Sequence, residues 1–254
     1  MARIITMINL KGGSGKTTTS VNLSASLAIA EKKTLLIDCD PQGNASIGLG
    51  IDKRSLKKSF YHTMINGQIL HDDIIDTDLA LLKIIPSRME AIRAEVQLSN
   101  QAEKETILQK MLADIADDFD YIILDTPPSI GFLTVNALLA STEFIVPLPC
   151  DFYAIETLGQ TLQTIKLLRN QFNLKLNFSG ILLSMFQENE EIGNHIAQEI
   201  RSHLKHKVFD TVIPYDIQIK ESPSHGQSIL TVDIQSIGAQ RFLMLANEVI
   251  NQST

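Results

Sequence analysis

The sequence predicts an α/β fold in which a single doubly wound, mostly parallel sheet is flanked by helices on both faces. Short apolar runs of strand length alternate with longer segments of helical periodicity, as expected when helices connect parallel strands. Two of these runs end in aspartates followed by proline, and the first leads into a glycine-rich loop. No linker-like or low-complexity stretch divides the chain, so we expect one domain over residues 1–254.

Each predicted strand is a short apolar run bounded by turn residues, which is typical of a strand buried on both faces. Residues 51–118 are the least informative part of the chain. The predicted strands are the runs at residues 3–9, 34–38, 79–85, 120–125, 143–148 and 177–184.

Three predicted helices carry apolar stripes at helical spacing. The last of them has Arg241 as its only cation, which favours a helix packed on the core over a basic membrane anchor. The three stripes are Leu158, Leu162, Ile165 and Phe172, then Ile192, Ile196, Ile200 and Leu204, and finally Phe242, Leu245 and Val249.

The composition excludes several classes of protein. With 44% hydrophobic residues among 254, the chain can bury one large core, and its net charge of −7 opposes nonspecific affinity for nucleic acid. Cys39 and Cys150 are too few for a disulfide framework and lack metal-ligand spacing, so we expect buried thiols in a reducing compartment. Because the first strand begins almost at once and no apolar run approaches a membrane span, we expect a cytoplasmic protein without a signal peptide.

The first strand leads directly into a glycine-rich loop that suits the phosphates of a nucleotide. Its glycines allow a tight turn, partly at positive φ, in which successive N–H groups point at a β-phosphate. Lys16 would reach the β- and γ-phosphate oxygens, and the Thr17 hydroxyl would ligate Mg²⁺. The helix that follows would point its positive end at the anion. The predicted phosphate-binding residues are Lys11, Gly12, Gly13, Ser14, Gly15, Lys16, Thr17 and Thr18.

This loop departs from the ordinary pattern G-x-x-x-x-G-K-[ST], because Leu10 stands where the first glycine would be. The pattern is instead x-K-G-G-x-G-K-T, which adds a second lysine, Lys11. The Lys11 side chain cannot easily fold back on its own loop, so we expect it to contact a phosphate bound by a second subunit. Thr18 either reaches the α-phosphate or only begins the helix.

Carboxylates follow two of the buried strands, at the edge where open α/β sheets bind ligands. Asp38 and Asp40 end one run, and Asp125 ends another. We expect Asp125 beside Mg²⁺ and Asp40 close to both the metal and the attacking water. Asp38 either caps the loop or supports the magnesium site from behind its ligands. The predicted catalytic residues are therefore Lys11, Lys16 and Asp40, and the predicted metal site is Thr17, Asp40 and Asp125.

These motifs resemble the ParA/Soj/MinD group of deviant Walker A ATPases, and within it the small chromosomal-type ParA (Soj) branch. The matching segments are K-G-G-S-G-K-T-T at 11–18, D-C-D-P-Q-G-N at 38–44, L-D-T-P-P-S at 124–129 and I-P-Y-D-I-Q-I-K-E-S-P-S-H-G at 213–226. The resemblance implies an ATP hydrolase that forms an ATP-dependent sandwich dimer, with Lys11 on the partner's phosphates and residues 126–131 as a switch loop. It also implies ATP and Mg²⁺ as cofactors and a ParB-like activator protein as partner.

The resemblance further implies where the adenine base would lie, with Met185, Phe186, Pro214 and Tyr215 as the candidate contacts. Iron-sulfur reductases of the same superfamily need cysteine ligands that this chain lacks. MinD proteins end in a basic amphipathic helix, which this chain also lacks, so we expect no membrane binding.

The chain departs from Soj-like proteins in the region expected to bind DNA. Those proteins usually show I-P-R-N-x-R-L, whereas Tyr215 and Gln218 replace the two arginines here. The remaining candidates form a cluster in which Arg201 and Lys205 would share a helix face at i, i+4. A solvated helix end would show the same cations. The candidate contacts to DNA phosphates are Arg201, Lys205, Lys207 and, as a weaker addition, Lys220.

The leading interpretation is an ATP-driven switch in chromosome or plasmid partition, associated with the nucleoid if DNA is bound. Two alternatives remain open. A ParA-like ATPase could position a protein cargo, such as a flagellar, chemotaxis or secretion assembly, through a cargo adaptor. A metabolic P-loop amidoligase or kinase could phosphorylate a small substrate, although Lys11 would then have no obvious task.

Overall fold

The computed structural model describes residues 1–172 and 174–252, so Ser253 and Thr254 of the predicted C-terminal end lie outside the described residues. The strands are β1 (Arg3–Met7), β2 (Thr34–Asp38), β3 (Ile75–Asp76), β4 (Leu82–Ile85), β5 (Tyr121–Asp125), β6 (Glu143–Pro149) and β7 (Asn177–Ser184). The helices are α1 (Lys16–Ile29), α2 (Asn44–Gly48), α3 (Phe60–Asn66), α4 (Ile92–Gln97), α5 (Ile107–Ala113), α6 (Phe132–Ala140), α7 (Ala154–Phe172), α8 (Glu191–Leu204), α9 (Ile217–Glu221), α10 (Ile229–Val232) and α11 (Ile237–Asn251).

All the strands join in one sheet of order β3-β4-β2-β5-β1-β6-β7. Every neighbouring pair is parallel except β3 and β4. The predicted doubly wound, mostly parallel sheet is therefore confirmed. Strands β2 to β5 lie on one side of β1, and β6 and β7 lie on the other side. The strand order therefore reverses next to β1. Ligands of open α/β sheets bind at such a reversal, beyond the carboxyl ends of the strands.

Helices cover both faces of this sheet, as the alternation of side chains along the strands shows. Ile5 and Met7 of β1 belong to a core cluster with α1 and α11, whereas Ile4 belongs to a cluster with α5 and α6. A third cluster joins β6 and β7 to α7 and α8. Its residue Phe144 lies opposite Thr6 in the ladder, so α7 and α8 share the face of α5 and α6. The glycine-rich loop thus leaves a sheet that is covered on both sides.

The strands differ most from the predictions at β1, β4 and β3. β1 ends at Met7 instead of residue 9, because the chain turns into the loop there. β4 begins at Leu82 instead of residue 79, because Leu79 accepts a hydrogen bond from the Leu82 N–H (2.9 Å) and closes a turn. The edge strand β3 was missed, since two residues are too few to show a strand period.

The helical stripes are mostly buried as predicted. Leu158 and Ile165 of α7 are buried, and so are Phe242, Leu245 and Val249 of α11. The expected burial of the thiols is also confirmed, because both cysteines are free and buried. No helix in the described part of the chain is both long and apolar enough to span a membrane.

Ile192 is the one residue of these stripes for which the prediction was wrong, with 60% of its surface exposed. The first turn of α8 packs through the neighbouring Gly193, where an added Cβ would lie 3.3 Å from the Cys150 carbonyl oxygen. Because adjacent helical residues point about 100° apart, this close approach turns Ile192 toward solvent. Ile196 and Ile200 face the core as expected.

Candidate nucleotide site

The glycine-rich loop has the backbone conformation that its sequence requires. Gly13 (φ 72°) and Gly15 (φ 86°) adopt left-handed conformations, which residues with a Cβ rarely take. An added Cβ at Gly12 or Gly13 would meet no atom within 4 Å, so the outer side of the loop is open to a ligand. Asn9 supports the loop from beneath, since its side chain accepts from the Lys11 N–H (2.9 Å) and donates to the Pro147 carbonyl (2.8 Å).

Lys16 lies inside this loop. Its buried ammonium donates to the carbonyls of Asn9 (3.0 Å) and Lys11 (3.3 Å). Burial lowers the pKa of Lys16, while the carboxylates of Asp125 and Asp40 oppose that shift. The Ser14 hydroxyl is also buried, and it has no hydrogen-bond partner among the described residues. A phosphate in the loop would supply the anionic oxygens that both groups can bind, so the residues fit this ligand.

Asp125, at the end of β5, is held against the first turn of α1. Its carboxylate accepts from the Thr17 hydroxyl (2.8 Å) and from the Ser20 hydroxyl (2.9 Å). Burial raises the pKa of Asp125 to about 6, although both hydroxyls oppose the shift. Ser20 was not predicted from the sequence, where its only signal is its position one helical turn after Thr17.

The oxygens of Thr17 and Asp125 determine which cation fits beside them. No cluster of three or more His, Cys, Asp or Glu side chains arranged for a metal occurs in residues 1–172 and 174–252. A cation beside Thr17 and Asp125 would complete its shell with phosphate oxygens and water. Few protein ligands and several waters are what Mg²⁺ prefers, so the residues fit this ion.

Asp38 and Asp40 organise the loop that follows β2. Asp38 accepts from the Ser46 N–H (2.8 Å), the Ser46 hydroxyl (2.6 Å) and the Asp40 N–H (3.2 Å), and it therefore caps this loop and α2. It lies opposite Asp125 in the sheet. Burial, followed by the charge of Asp125, raises the pKa of Asp38 to about 8. Asp40 is buried, and its carboxylate accepts from the Gln42 N–H (2.9 Å).

A cavity of about 250 Å³ opens beside the loop, with Gly15 and Thr18 on its wall. Three of the predicted adenine contacts, Met185, Pro214 and Tyr215, also line it. Phe186 does not, so that residue of the prediction is corrected. Its side chain packs against the α7–α8 core cluster instead, while its main chain bonds to Ile213 and Tyr215. An apolar cleft of this size suits a flat aromatic base.

A second cavity, of about 360 Å³, separates the loop after β2 from the loop after β5. Asp40 and Gln42 lie on one side, and Pro127, Ser129 and Gly131 lie on the other. Four residues of the predicted switch loop 126–131 therefore share this cavity with Asp40, namely Pro127, Pro128, Ser129 and Gly131.

Lys11 points away from the interior of its loop, as expected, but it does not extend freely into solvent. Its ammonium forms an ion pair with Asp151 of the same chain and lies 5.7 Å from the centroid of the Tyr153 ring. The other Asp151 oxygen accepts from the Tyr153 N–H (3.1 Å). The sequence analysis missed Asp151, which follows β6 without a motif around it. The contact of Lys11 with a second subunit stays a prediction.

The candidate DNA-binding cations are largely engaged within the chain. Arg201 donates to the Phe209 carbonyl (3.0 Å), and Lys207 donates to the Phe178 carbonyl (2.8 Å). The predicted i, i+4 face of Arg201 and Lys205 is wrong, because α8 ends at Leu204 and Lys205 has a positive φ of 34°. Lys220 lies apart from this cluster, on the wall of the base-sized cavity.

The chain is similar to known proteins along nearly its whole length. A family described as an AAA domain matches residues 2–178. The chromosome partitioning protein ParA of Myxococcus xanthus is 41% identical over 254 residues, which cover 100% of this chain and 90% of that protein. The sporulation initiation inhibitor protein Soj of Bacillus subtilis is 41% identical over 249 residues, or 98% of each chain.

A solved structure shares the fold at lower sequence identity. The cobyrinic acid a,c-diamide synthase of Mycobacterium smegmatis, with bound ATP analog and magnesium, superposes with a TM-score of 0.85 at 28% identity. The superposition covers 98% of this chain and 95% of the synthase. Its sequence identity of 28% is lower than the 41% of the ParA and Soj relatives. The chain therefore belongs to the ParA/Soj/MinD family of deviant Walker A P-loop ATPases.

Proposed function

We propose that this chain is a Mg²⁺-dependent ATPase that acts as an ATP-driven dimerisation switch in chromosome or plasmid partition. The observation that carries the proposal is the different placement of two lysines in one loop. Lys16 is buried inside the loop, whereas the Lys11 side chain is 32% exposed and lies outside it. Two relatives at 41% identity are named for partition or as Soj, which supports the biological role.

Within one subunit, ATP would bind with its phosphates in the glycine-rich loop and its base in the apolar cavity. Lys16 would bind the β- and γ-phosphates, and Thr18 lies between the loop and the cavity lined by Met185 and Tyr215. Thr17, Asp40 and Asp125 would hold magnesium directly or through water, and bound magnesium would neutralise charge on the phosphate oxygens. The synthase relative, which holds an ATP analog and magnesium, supports this assignment.

Hydrolysis would proceed by attack of water on the γ-phosphorus, with ADP as leaving group and inorganic phosphate as the second product. Asp40 would orient the water and accept its proton, since this carboxylate lies on the cavity that Pro127, Ser129 and Gly131 also line. Lys16, together with Lys11 from the second subunit, would balance the negative charge on the transferring phosphoryl group.

The result of such an ATPase cycle is a change in the affinity of one subunit for another. ATP would favour the sandwich dimer, and hydrolysis, stimulated by a ParB-like activator or a cargo adaptor, would return the chain to a monomer or weak dimer. We place the switch in the cytoplasm, associated with the nucleoid when DNA is bound. The metabolic alternative is less favoured, because it leaves the placement of Lys11 without a role.

The experiment that tests the proposal measures mass by light scattering with Mg²⁺-ATP. The parent protein should form dimers, whereas Lys11→Ala should bind ATP as a monomer. Lys166→Ala, which removes a lysine from the exposed side of α7, serves as the matched control and should dimerise like the parent. Dimers of Lys11→Ala at the parental ATP concentration would contradict the proposal.

A further inference from the structure

The loop that follows β2 is held by a chain of buried hydrogen bonds that ends at Asp40. We call residues 39–43 the Asp40 loop. The proposed role of Asp40 in hydrolysis requires its carboxylate to stay in place while water attacks. A displacement of a catalytic group by about 1 Å can cost about 100-fold in rate. The contacts that hold the Asp40 loop therefore bear on the rate of hydrolysis.

Asp38 is the first link of this chain of hydrogen bonds. The Asp40 N–H donates to Asp38 Oδ1 (3.2 Å), so the orientation of the Asp38 carboxylate affects where the main chain of Asp40 lies. The other oxygen, Oδ2, accepts from the N–H (2.8 Å) and from the hydroxyl (2.6 Å) of Ser46. Asp38 and Ser46 are both fully buried. Loss of a hydrogen bond between buried polar groups is costly, because water does not replace it freely.

The Ser46 hydroxyl is the second link, and it bonds in two directions. It donates to Asp38 and accepts from the Ser87 N–H (3.0 Å). A hydroxyl can do both at once, because it carries one proton and two lone pairs. Ser87 is buried and follows β4, the parallel neighbour of β2. A methyl group in place of this hydroxyl would remove one donor from Asp38 and the acceptor of the Ser87 N–H.

A second contact joins the segment after β4 to the Asp40 loop. An added Cβ at Gly43 would lie 2.7 Å from the Ser87 carbonyl oxygen. Gly43 has φ 64°, so its conformation and this close approach both require glycine. The main chain of Ser87 therefore supports the Asp40 loop at two points, directly at Gly43 and through Ser46 at Asp38.

The predicted phosphate-binding residues are held by other contacts. Lys16 donates to carbonyls of its own loop, and the Thr17 hydroxyl donates to Asp125. The Ser46 hydroxyl bonds to Asp38 and Ser87, and to neither lysine nor threonine of the glycine-rich loop within the described part of the chain. A change at Ser46 should therefore affect the Asp40 loop more than the binding of phosphates.

We propose that Ser46 is a positioning residue for ATP hydrolysis, because its hydroxyl ties Asp38 to the Ser87 N–H and so holds Asp40 where it orients the attacking water. The inference rests on the proposed ATPase function and adds a residue that acts through Asp38 instead of contacting ATP or magnesium. Removal of the hydroxyl slows hydrolysis without weakening nucleotide binding.

The test separates kcat from ATP affinity in Ser46→Ala. Phosphate release at saturating Mg²⁺-ATP measures kcat, and isothermal titration calorimetry with a non-hydrolysable ATP analog measures affinity. We expect kcat to fall about tenfold or more. The affinity should change by less than about twofold, since ground-state binding is kept. Light scattering should show ATP dimers that last longer than those of the parent, because hydrolysis ends the dimer in the proposed cycle.

Two further variants separate the loss of a hydrogen bond from a loss of packing. Ser46→Cys fills nearly the same space with a weaker donor, so its kcat should also fall, and it carries the test if Ser46→Ala does not fold. Ser26→Ala is the matched control. It alters a buried serine of α1 whose hydroxyl has no hydrogen-bond partner among the described residues, so it should keep the parental kcat.

Three results would overturn the inference. Parental kcat in the folded Ser46 variants, or a fall no larger than that of Ser26→Ala, would overturn it and leave the proposed function intact. A loss of ATP affinity and of ATP dimers in step with kcat would do the same, since Ser46 would then only support the fold. A parent that does not hydrolyse ATP would contradict the proposed function itself, and the positioning role with it.

Discussion

The glycine-rich loop has an inner end around Lys16 and an outer end around Lys11. The two ends differ in the contacts that hold their side chains. At the inner end, Lys16, Thr17 and Asp125 are buried or hydrogen-bonded to one another within a single chain. At the outer end, the Lys11 side chain is held by a half-exposed ion pair with Asp151 and lies over the Tyr153 ring. Such pairs contribute little and break easily. On the proposed function, one subunit would bind nucleotide alone, whereas its outer end would exchange Asp151 for another anion.

The largest effect is expected at the inner end. Lys16→Ala removes the buried cation that would bind the β- and γ-phosphates, so ATP affinity should fall by about 100-fold or more. Isothermal titration calorimetry with Mg²⁺-ATP measures this affinity. Lys11→Ala is the comparison, and its monomer should bind ATP with an affinity close to that of the parent. Equal losses in the two variants would remove the distinction between the ends.

The inner end also predicts a pH dependence in the absence of nucleotide. The pKa of Asp38 is raised to about 8 from 3.8, so the folded state binds more protons than the unfolded state between those values. Stability should therefore be greatest at low pH within this range and fall as pH rises toward 8. Urea unfolding from about pH 5 to about pH 8 should show a loss of more than about 1.4 kcal/mol.

The matched variant for this experiment is Asp38→Asn, which keeps an oxygen for Ser46 but cannot ionise. Its unfolding free energy should depend less on pH than that of the parent. An identical pH slope in the two proteins would show that another buried group, such as Asp125, carries the effect.

The smallest effect is expected at the outer end. Asp151→Asn removes the charge that holds Lys11 in its own subunit, so half-maximal dimerisation should need about two- to fivefold less ATP. Asp78→Asn, at an exposed position on another part of the surface, is the control for net charge. A requirement for more ATP in Asp151→Asn would mean that this carboxylate contributes to the dimer instead of restraining the monomer.

Prediction from sequence succeeded where the backbone determines the chemistry. Glycines at 13 and 15 require positive φ, and aspartates at the ends of parallel strands must meet at one edge of the sheet. These constraints are local or follow from the fold class, so the loop and Asp125 were visible without coordinates. Ser20 and Asp151 were not, because their roles depend on side-chain contacts between residues that are distant in the chain.

The cations considered for DNA binding give a second example of what the sequence alone does not reveal. Arg201 and Lys207 form a cluster in sequence, but both donate to main-chain carbonyls that only the folded chain brings near. Residues 53–58 carry four cations in the segment with the fewest motifs, and the hydrogen bond from Lys53 to Gln42 becomes visible only in the structure. The sequence shows where cations lie along the chain. The structure shows which of them already bond to other groups of the same chain.

The central claim, that Lys11 acts on the second subunit, is tested most directly by mixing two inactive variants before ATP is added. Lys11→Ala retains Asp40 but lacks the outer lysine, and Asp40→Ala retains Lys11 but should bind ATP without hydrolysing it. In a mixed dimer, the site on the Lys11→Ala subunit would receive Lys11 from its partner. ATP hydrolysis in an equal mixture should recover to a measurable rate of at most about half of the parent rate, since each mixed dimer has one complete site of two. No recovery, with mixed dimers demonstrated by light scattering and differential tagging, would contradict the claim.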